Sequence, residues 1–281
     1  MESLKLRKIH LDSRFKLPGG SHSDFEVALP QMLETPENTI AFIDNITIPH
    51  SWTSVDESNR YLFLAERAGT SAPYVYSVRR LDIPQHSHSG TSYKTALQTA
   101  LNTNTPAGIS ATYIVVHTLT TNKCAIAAPS SSVFHFLTDD EIQISDNAHY
   151  PIQKDNTKSG NSVIRNMEGG TATNAAQYTY TDVFTTGFCD FQNHHNIYIN
   201  SSLAMFNSLG PMGQTSILAK CPVSSSYGNS IHHSYAGTQD YVHIGKNAIS
   251  TIRFSLRDAF SNLVKLEGAS WSCSIIFAIK E

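Results

Sequence analysis

Thr251-Ile252-Arg253-Phe254-Ser255-Leu256 stands near the end of the chain and alternates apolar with polar side chains. Successive side chains of a strand point to opposite faces, so this period of two predicts a half-buried strand. Two similar runs flank it, Tyr241 to Ile244 and Trp271 to Ile279. The second is almost wholly apolar from Ile275 onward, as in a strand covered on both faces. These runs predict the seam of an all-β barrel or sandwich.

The first half of the chain carries strands of the same kind. Lys8 to Ser13 alternates, and Phe25 to Leu29 alternates until Pro30, where we expect the strand to stop and a polar loop to follow. In residues 38–48, Asp44 interrupts an apolar face and predicts a bulge or a bend. The residues expected to share that face with it are Ile40, Phe42, Ile46 and Ile48.

One helix stands out in the middle of the chain. Its single apolar stripe, with Ser92 as the expected N-cap, predicts a helix that packs on the sheet. The stripe consists of Tyr93, Ala96, Leu97, Ala100 and Leu101. Further strands are predicted at 61–64, 74–79, 112–119, 123–127, 133–137, 178–184, 196–200 and 216–223, and polar loops at 146–161, 167–176 and 224–239.

Some twelve short strands with long polar loops predict antiparallel sheets packed as a sandwich. A chain of 281 residues is compatible with one domain, and no segment has the composition of a linker. We therefore expect an all-β, antiparallel single jelly-roll sandwich over residues 1–281, with elaborated loops and one or two short helices. The long inserted loops are expected in about 65–193.

Composition limits the possible partners and compartments. A net charge of −3 predicts no strong binding to nucleic acid. The cysteines are far apart and lie in apolar settings, which predicts buried free thiols and suits a reducing compartment. They are Cys124, Cys189, Cys221 and Cys273. The start of the chain lacks the apolar core of a signal peptide, and no long apolar run predicts a membrane span.

Histidines are the residues that most suggest chemistry. His194-His195 and His232-His233 are adjacent pairs, and His86 lies two residues before His88. Two histidines two apart on a strand can share a metal ion, whereas adjacent ones point to opposite faces. No Asp or Glu stands at a ligand spacing, so we predict loop and surface histidines and no metal site.

Catalytic motifs are missing as well. No nucleophile elbow, phosphate-binding glycine loop or catalytic cysteine signature occurs. The acidic trio at residues 139–141, preceded by Thr138, has the spacing of a capping box. Tyrosines 74, 76, 178 and 180 could stack on bases or sugars, although their period of two also fits one face of a strand. We predict no catalytic and no cofactor-binding residues.

Six sequence segments carry a family resemblance. Those near the end are Asp240 to Gly245, Ile252 to Phe260 and Leu266 to Gly268, and those near the start are Leu11 to Arg14, Ser23 to Pro30 and Ile43 to Ser51. Together they resemble the penton (vertex) minor capsid proteins of Polinton-like viruses, adintoviruses and virophages. The resemblance covers both ends, about half of the chain, and not residues 65–193.

The resemblance implies a structural protein without catalytic residues. It implies a jelly-roll subunit that forms a homopentamer at icosahedral capsid vertices and contacts a double-jelly-roll major capsid protein, with other minor capsid proteins as further possible partners. The expected location is the virion, assembled inside the infected host cell. The 12 Tyr and 13 Phe suit a subunit that buries aromatic side chains against its neighbours.

Two alternatives of other classes remain open. The first is a carbohydrate- or receptor-binding β-sandwich, that is, an attachment protein that uses the loops at 146–161 and 167–176. The second is a cupin-like metal hydrolase with histidine ligands.

Overall fold

The computed structural model describes residues 7–57, 59–69, 74–106, 109, 112–137, 179–204, 208–234 and 241–279. The chain forms two compact units. One contains Met1–Trp52 and His194–Glu281, and the other contains Thr53–Asn193. The single domain over 1–281 stays a prediction, because compactness alone does not test whether the units fold independently. The second unit nearly coincides with the segment in which inserted loops were expected.

Two antiparallel sheets form the first unit. One sheet has the order β1-β15-β3-β12, with the short strand β13 also paired to β3. Its strands are β1 (Arg7–Asp12), β3 (Thr39–Pro49), β12 (Ser230–Ser234), β13 (Val242–His243) and β15 (Ser272–Ile279). The other sheet has the order β11-β10-β14-β2. Its strands are β2 (Asp24–Thr35), β10 (Asn196–Ser201), β11 (Ile217–Pro222) and β14 (Asn247–Arg257).

Apolar side chains of both sheets share one core. Ile252 and Phe254 of β14 are fully buried, in the same cluster as Ile43 of β3 and Ile275 of β15. Strand β15 pairs with β1 on one side and β3 on the other. The first and last strands are therefore neighbours, and the antiparallel jelly-roll sandwich is confirmed.

The second unit contains two three-stranded sheets and a helix. The sheet orders are β5-β4-β8 and β6-β7-β9. Their strands are β4 (Tyr61–Ala68), β5 (Val75–Asp82), β6 (Ile114–Thr118), β7 (Lys123–Ala127), β8 (Ser132–Phe136) and β9 (Val183–Thr185). The helix α1 spans Gly90–Asn102. Both sheets and α1 contribute to one apolar cluster.

Helix α1 packs as its stripe predicts but begins earlier. Tyr93, Leu97 and Leu101 are buried. The predicted N-cap, Ser92, is wrong: Ser89 is the N-cap and accepts from the Ser92 amide, while the Ser92 hydroxyl accepts from the Ser89 amide. Serine at both positions makes this capping box, so propensity alone does not choose between them. Neither α1 nor any other helix among the described residues is long and apolar enough to cross a membrane.

Strand β2 does not stop at Pro30, and no polar loop follows there. It continues to Thr35 because it pairs on one side only, with β14, at the edge of its sheet. The pairing jumps from Thr251–Ala28 to Ile249–Leu33, so the residues around Pro30 bulge out opposite a single residue of β14. An edge position at a bulge tolerates a residue without an amide hydrogen.

The bulge predicted at Asp44 is present, but its effect on the apolar face was mispredicted. Ile43 pairs with Ile275 and Asn45 with Ser274, so Asp44 is the extra residue. An extra residue reverses the alternation. Ile43 therefore lies in the same core cluster as Ile46, whereas Ile40 and Phe42 lie outside it.

Other loop predictions have mixed outcomes. The loop expected at 224–239 contains β12, which pairs with β3. The capping box at 138–141 and the loops at 146–161 and 167–176 lie outside the described residues.

The chain leaves the first unit after Trp52 and returns to it at His194, and the ring centroids of these two residues are 5.8 Å apart.

A buried ion pair crosses the interior of the second unit. Glu66 of β4 is fully buried and accepts two hydrogen bonds from Arg79 of β5, at 2.7 and 2.9 Å. The Tyr113 hydroxyl donates to the same carboxylate at 2.7 Å. Arg79 also donates to the carbonyls of Leu101 and Thr103 at the end of α1. The Glu66 carboxylate and the Arg79 guanidinium thus both have hydrogen-bond partners, as the burial of charged groups requires.

Candidate interaction surfaces

The two adjacent histidine pairs have ordinary structural surroundings. His232 and His233 are neighbours on β12, so their side chains point to opposite faces. His232 is exposed, and its Nδ1 lies 3.1 Å from the Thr47 hydroxyl on β3. The ring of His194 packs near Trp52, and the carbonyl of His195 accepts from the amide of Val223.

His86 and His88 approach each other, but not on a regular strand. Their ring centroids are 5.5 Å apart. His88 is buried, and its Nε2 donates to the Pro84 carbonyl at 2.9 Å, which leaves Nδ1 buried without a partner. Among the described residues no three His, Cys, Asp or Glu side chains come close enough to hold a metal ion. The absence of catalytic, cofactor and metal sites stays a prediction.

Three of the four tyrosines that the sequence singled out come together around an arginine. The ring centroids of Tyr74 and Tyr76 are 6.2 Å apart, and those of Tyr76 and Tyr180 are 6.0 Å apart. The Arg67 guanidinium lies 4.5 Å from the Tyr74 ring centroid and 5.3 Å from that of Tyr180. We call these four residues the tyrosine–arginine cluster. Tyr178 lies outside the described residues.

Strand alternation extends this surface along the sheet. Tyr61 lies six residues before Arg67 on β4 and therefore on the same face. Its ring contacts the guanidinium of Arg60 at 5.2 Å and that of Arg80 at 4.2 Å. Tyrosine faces can stack on sugar rings, and arginine forks bind carboxylates and other anions. Phe63 and Ala65, which lie between Tyr61 and Arg67 on this face, are buried. The exposed side chains that could contact an acidic partner are therefore Tyr76 and Arg80.

The other sheet of the second unit has an exposed apolar face. Ile114 of β6, Ala127 of β7 and Val183 of β9 form one row across the sheet. In the next row Val116 pairs with Ala125. The side chains of Ile114, Val116 and Val183 are each about half exposed. We call these two rows together the outer apolar face. Contiguous exposed apolar surface often marks an interaction site.

The neighbouring edge of this sheet is covered by α1. The Gln98 side chain accepts from the Val115 amide at 3.1 Å, and the Asn102 side chain bonds both the amide and the carbonyl of Tyr113. Covering an edge strand prevents it from pairing with another chain. The sheet is therefore open to a partner through its face rather than at this edge.

Several aromatic side chains project from turns. Phe15 and Phe188 are 75% and 60% exposed, and Tyr227 and Phe260 are also exposed. Phe15, Tyr227 and Phe260 belong to the first unit, and Phe188 belongs to the second. Aromatic side chains at such positions are enriched in protein interfaces.

Sequence reasoning missed the outer apolar face for a physical reason. Residues 114–117 are Ile-Val-Val-His, so both sides of β6 look apolar or neutral, and the period of two does not say which side is the core. Val115 faces the core and Val116 faces outward. The alternation of Ala with Cys and Ile in β7 was the available signal, because the smaller alanines mark the outer side.

Comparisons with known proteins agree with this fold. No protein-family model matches the chain, and no curated protein matches its sequence. Among solved structures, the mavirus penton protein matches with a TM-score of 0.56 at 11% identity, over 99% of this chain and 99% of that chain. A chain in the structure of the Sputnik virophage matches with a TM-score of 0.49 at 12% identity, over 97% and 98% of the two chains. The chain therefore shares the fold of the mavirus penton protein over its whole length.

Proposed function

We propose that this chain is a structural capsid protein: a penton subunit that forms a homopentamer at the icosahedral vertices of a virion. The observation that carries the proposal is the shared fold with the mavirus penton protein over 99% of both chains, which includes the second unit as well as the sandwich. The segments at both ends that resemble penton proteins support it independently. In this role the protein performs no catalysis.

The exposed apolar surfaces suit such a role. A ring of identical subunits needs two different, complementary patches on each copy, because each subunit contacts its two neighbours head to tail. The outer apolar face and the exposed turn aromatics offer separate apolar patches on one chain. Other patches would contact a double-jelly-roll major capsid protein and other minor capsid proteins, during assembly inside the infected host cell.

Native mass spectrometry of the purified full chain tests the ring. Five copies of the 30.9 kDa chain give a species of about 155 kDa. Val116→Glu places a charge on the outer apolar face at a position that is about half exposed, so the fold tolerates it, and is expected to weaken or abolish the pentamer. Thr120→Glu, in the turn after β6, adds the same charge outside the face and is the matched control.

The outcomes separate the parts of the proposal. A wild-type chain that stays monomeric at high concentration contradicts the homopentamer. If Val116→Glu still forms the pentamer, the outer apolar face is not part of the contact between neighbouring subunits. Cryo-electron microscopy of purified particles tests the location, and density for this chain away from the vertices would contradict it.

A second candidate function is attachment to an acidic carbohydrate. The tyrosine–arginine cluster favours it, because Arg67 and Arg80 lie among tyrosine rings and have no carboxylate partner among the described residues. A glycan array with the wild-type protein tests it, with Tyr76→Ala as the variant and Tyr227→Ala as the control. Binding of acidic glycans that Tyr76→Ala alone abolishes supports attachment, and no bound glycan contradicts it. No specific observation favours the cupin-like hydrolase.

A further inference from the structure

Two of the four cysteines lie side by side in the second unit. The sulfur atoms of Cys124 on β7 and Cys189 after β9 are 3.9 Å apart, and both side chains are fully buried. They are 65 positions apart in the sequence, so their proximity is a product of the fold. Cys221 and Cys273, both in the first unit, are buried as well but approach no second sulfur.

Backbone hydrogen bonds hold the two cysteines in register. The Cys189 amide donates to the Asn122 carbonyl at 2.8 Å, and the Asn122 side chain donates to the Cys189 carbonyl at 2.6 Å. Thr186 donates its amide to the Cys124 carbonyl and accepts from the Cys124 amide. The two chain segments are thus clamped on both sides of the thiols. A disulfide needs a sulfur separation of about 2 Å, so the two side chains must rotate toward each other for the bond to form.

We propose that Cys124 and Cys189 form a site of reversible oxidation that closes to an intramolecular disulfide. The oxidant is a small-molecule disulfide of the glutathione class. The thiolate of one cysteine attacks a sulfur of the oxidant, forms a mixed disulfide and releases one small thiol. The second cysteine then attacks the protein sulfur of that mixed disulfide and releases the second small thiol. The protein loses two hydrogens, and the two electrons end in the two small thiols.

The surroundings indicate which thiol reacts first. The hydrogen bond between the two thiols lowers the pKa of Cys189 below its usual value, while the same pairing and burial raise the pKa of Cys124. A thiolate is the attacking species in exchange. Cys189 also follows Phe188, which is largely exposed, so a local opening of this turn brings Cys189 to solvent first. In contrast, burial raises the pKa of Cys221 to about 11 and that of Cys273 to about 12.

The cross-link would connect β7 to the segment after β9 and enclose the chain between them. Closing a loop of this length restricts the unfolded chain and stabilises the fold. Formation is expected in an oxidising medium and reversal in a reducing one. The cross-link itself does not depend on the proposed capsid function, so the failure of either leaves the other standing.

The test treats the purified full chain with oxidised glutathione at neutral pH, then counts thiols in denaturant and maps peptides by mass spectrometry. The expected result is a fall from four free thiols to two, a mass loss of about 2 Da and a peptide pair joining Cys124 to Cys189. The melting temperature should rise by about 5 °C or more, and dithiothreitol should reverse the rise.

Two alanine variants complete the design. Cys189→Ala should form no intramolecular cross-link, whereas Cys221→Ala should form it as the wild type does. Four free thiols after treatment of the wild type, or a cross-link that involves Cys221 or Cys273, overturns the proposal. Peptide mapping of the wild type gives this answer even if a variant does not fold.

Discussion

The buried Glu66–Arg79 pair of the second unit allows a quantitative test of what holds that unit together. Glu66→Gln keeps the size of the side chain and removes its charge. The Glu66 side chain is fully buried and that of Arg79 is 12% exposed, so the arginine would keep a charge that little water can reach. Removing one partner of a buried pair generally costs about 3–5 kcal/mol.

The structure places this variant toward the lower end of that range. Arg79 retains its hydrogen bonds to the carbonyls of Leu101 and Thr103, which compensate part of its charge. The amide nitrogen of Gln cannot accept a hydrogen bond. Wherever it lies, its hydrogens would face the N–H groups of Arg79 or the hydroxyl of Tyr113, and hydrogen bonds that the carboxylate accepts would be lost. We expect a loss of about 3 kcal/mol in the free energy of unfolding, which corresponds to about 6–12 °C in melting temperature.

Urea denaturation and calorimetry at neutral pH measure this loss, and a surface pair provides the control. Arg60, directly before β4, pairs with Asp82 at the end of β5 at 2.7 Å, but their side chains are 25% and 48% exposed. Arg60→Gln should therefore cost less than about 1 kcal/mol. If Glu66→Gln costs no more than Arg60→Gln, burial is not what makes the Glu66 pair strong, and the reasoning is refuted.

Three further predictions concern smaller features. Gly90→Ala should destabilise the protein by about 1–3 kcal/mol because the new Cβ would lie 2.1 Å from the His117 ring, and His117→Ala should remove that penalty in a double-mutant cycle. Ser89→Ala should cost about 1 kcal/mol in urea denaturation through loss of the N-cap of α1, and a change below the error of the measurement would contradict the cap. The hydrogen bond from Lys8 lowers the pKa of Asp44 below its usual value, so the pair stabilises the fold above the ordinary carboxyl pKa and loses this effect as the pH falls through the lowered one. Lys8→Ala should thus be slightly less stable than the wild type near pH 7, by less than about 1 kcal/mol, and no less stable near pH 2.5; an equal difference at both values would contradict the linkage.

The sequence predicted the sandwich well because its buried strands alternate strongly. Ile252, Phe254 and Leu256 of β14 are fully buried, as their period of two requires. The same period of two in Lys8 to Ser13 predicted β1, although it did not indicate that β1 pairs with β15. Such a pattern predicts the observed strand correctly because the burial of one face is the main signal of a strand in the sequence.

Other features depended on tertiary context that a single segment does not contain. Pro30 ends a strand by local rules, but at the edge of a sheet its missing hydrogen faces no partner. The bulge at Asp44 could be predicted from a polar residue in an apolar run, but not that Ile43 rather than Phe42 joins the core. In the second unit, Val115 and Val116 are chemically the same, so only packing decides that Val116 belongs to the outer apolar face.

The pairing of Cys124 with Cys189 illustrates the same limit. Both thiols were expected to be buried and free, and their locations in the chain gave no indication that they meet. The two cysteines, 65 positions apart in the sequence, come together only when β7 pairs with β9. Proximity between distant residues is a property of topology and not of local sequence.

The closeness of Trp52 and His194, whose rings are 5.8 Å apart, has a consequence for how such a protein can diversify. The two connections that join residues 53–193 to the first unit therefore leave and re-enter it at neighbouring positions. Excising it and joining Trp52 to His194 with a few glycines would leave every strand of the two sandwich sheets in the chain. Joining an unrelated module at this junction is then a route by which related proteins could acquire a different second unit while their jelly roll stays constant.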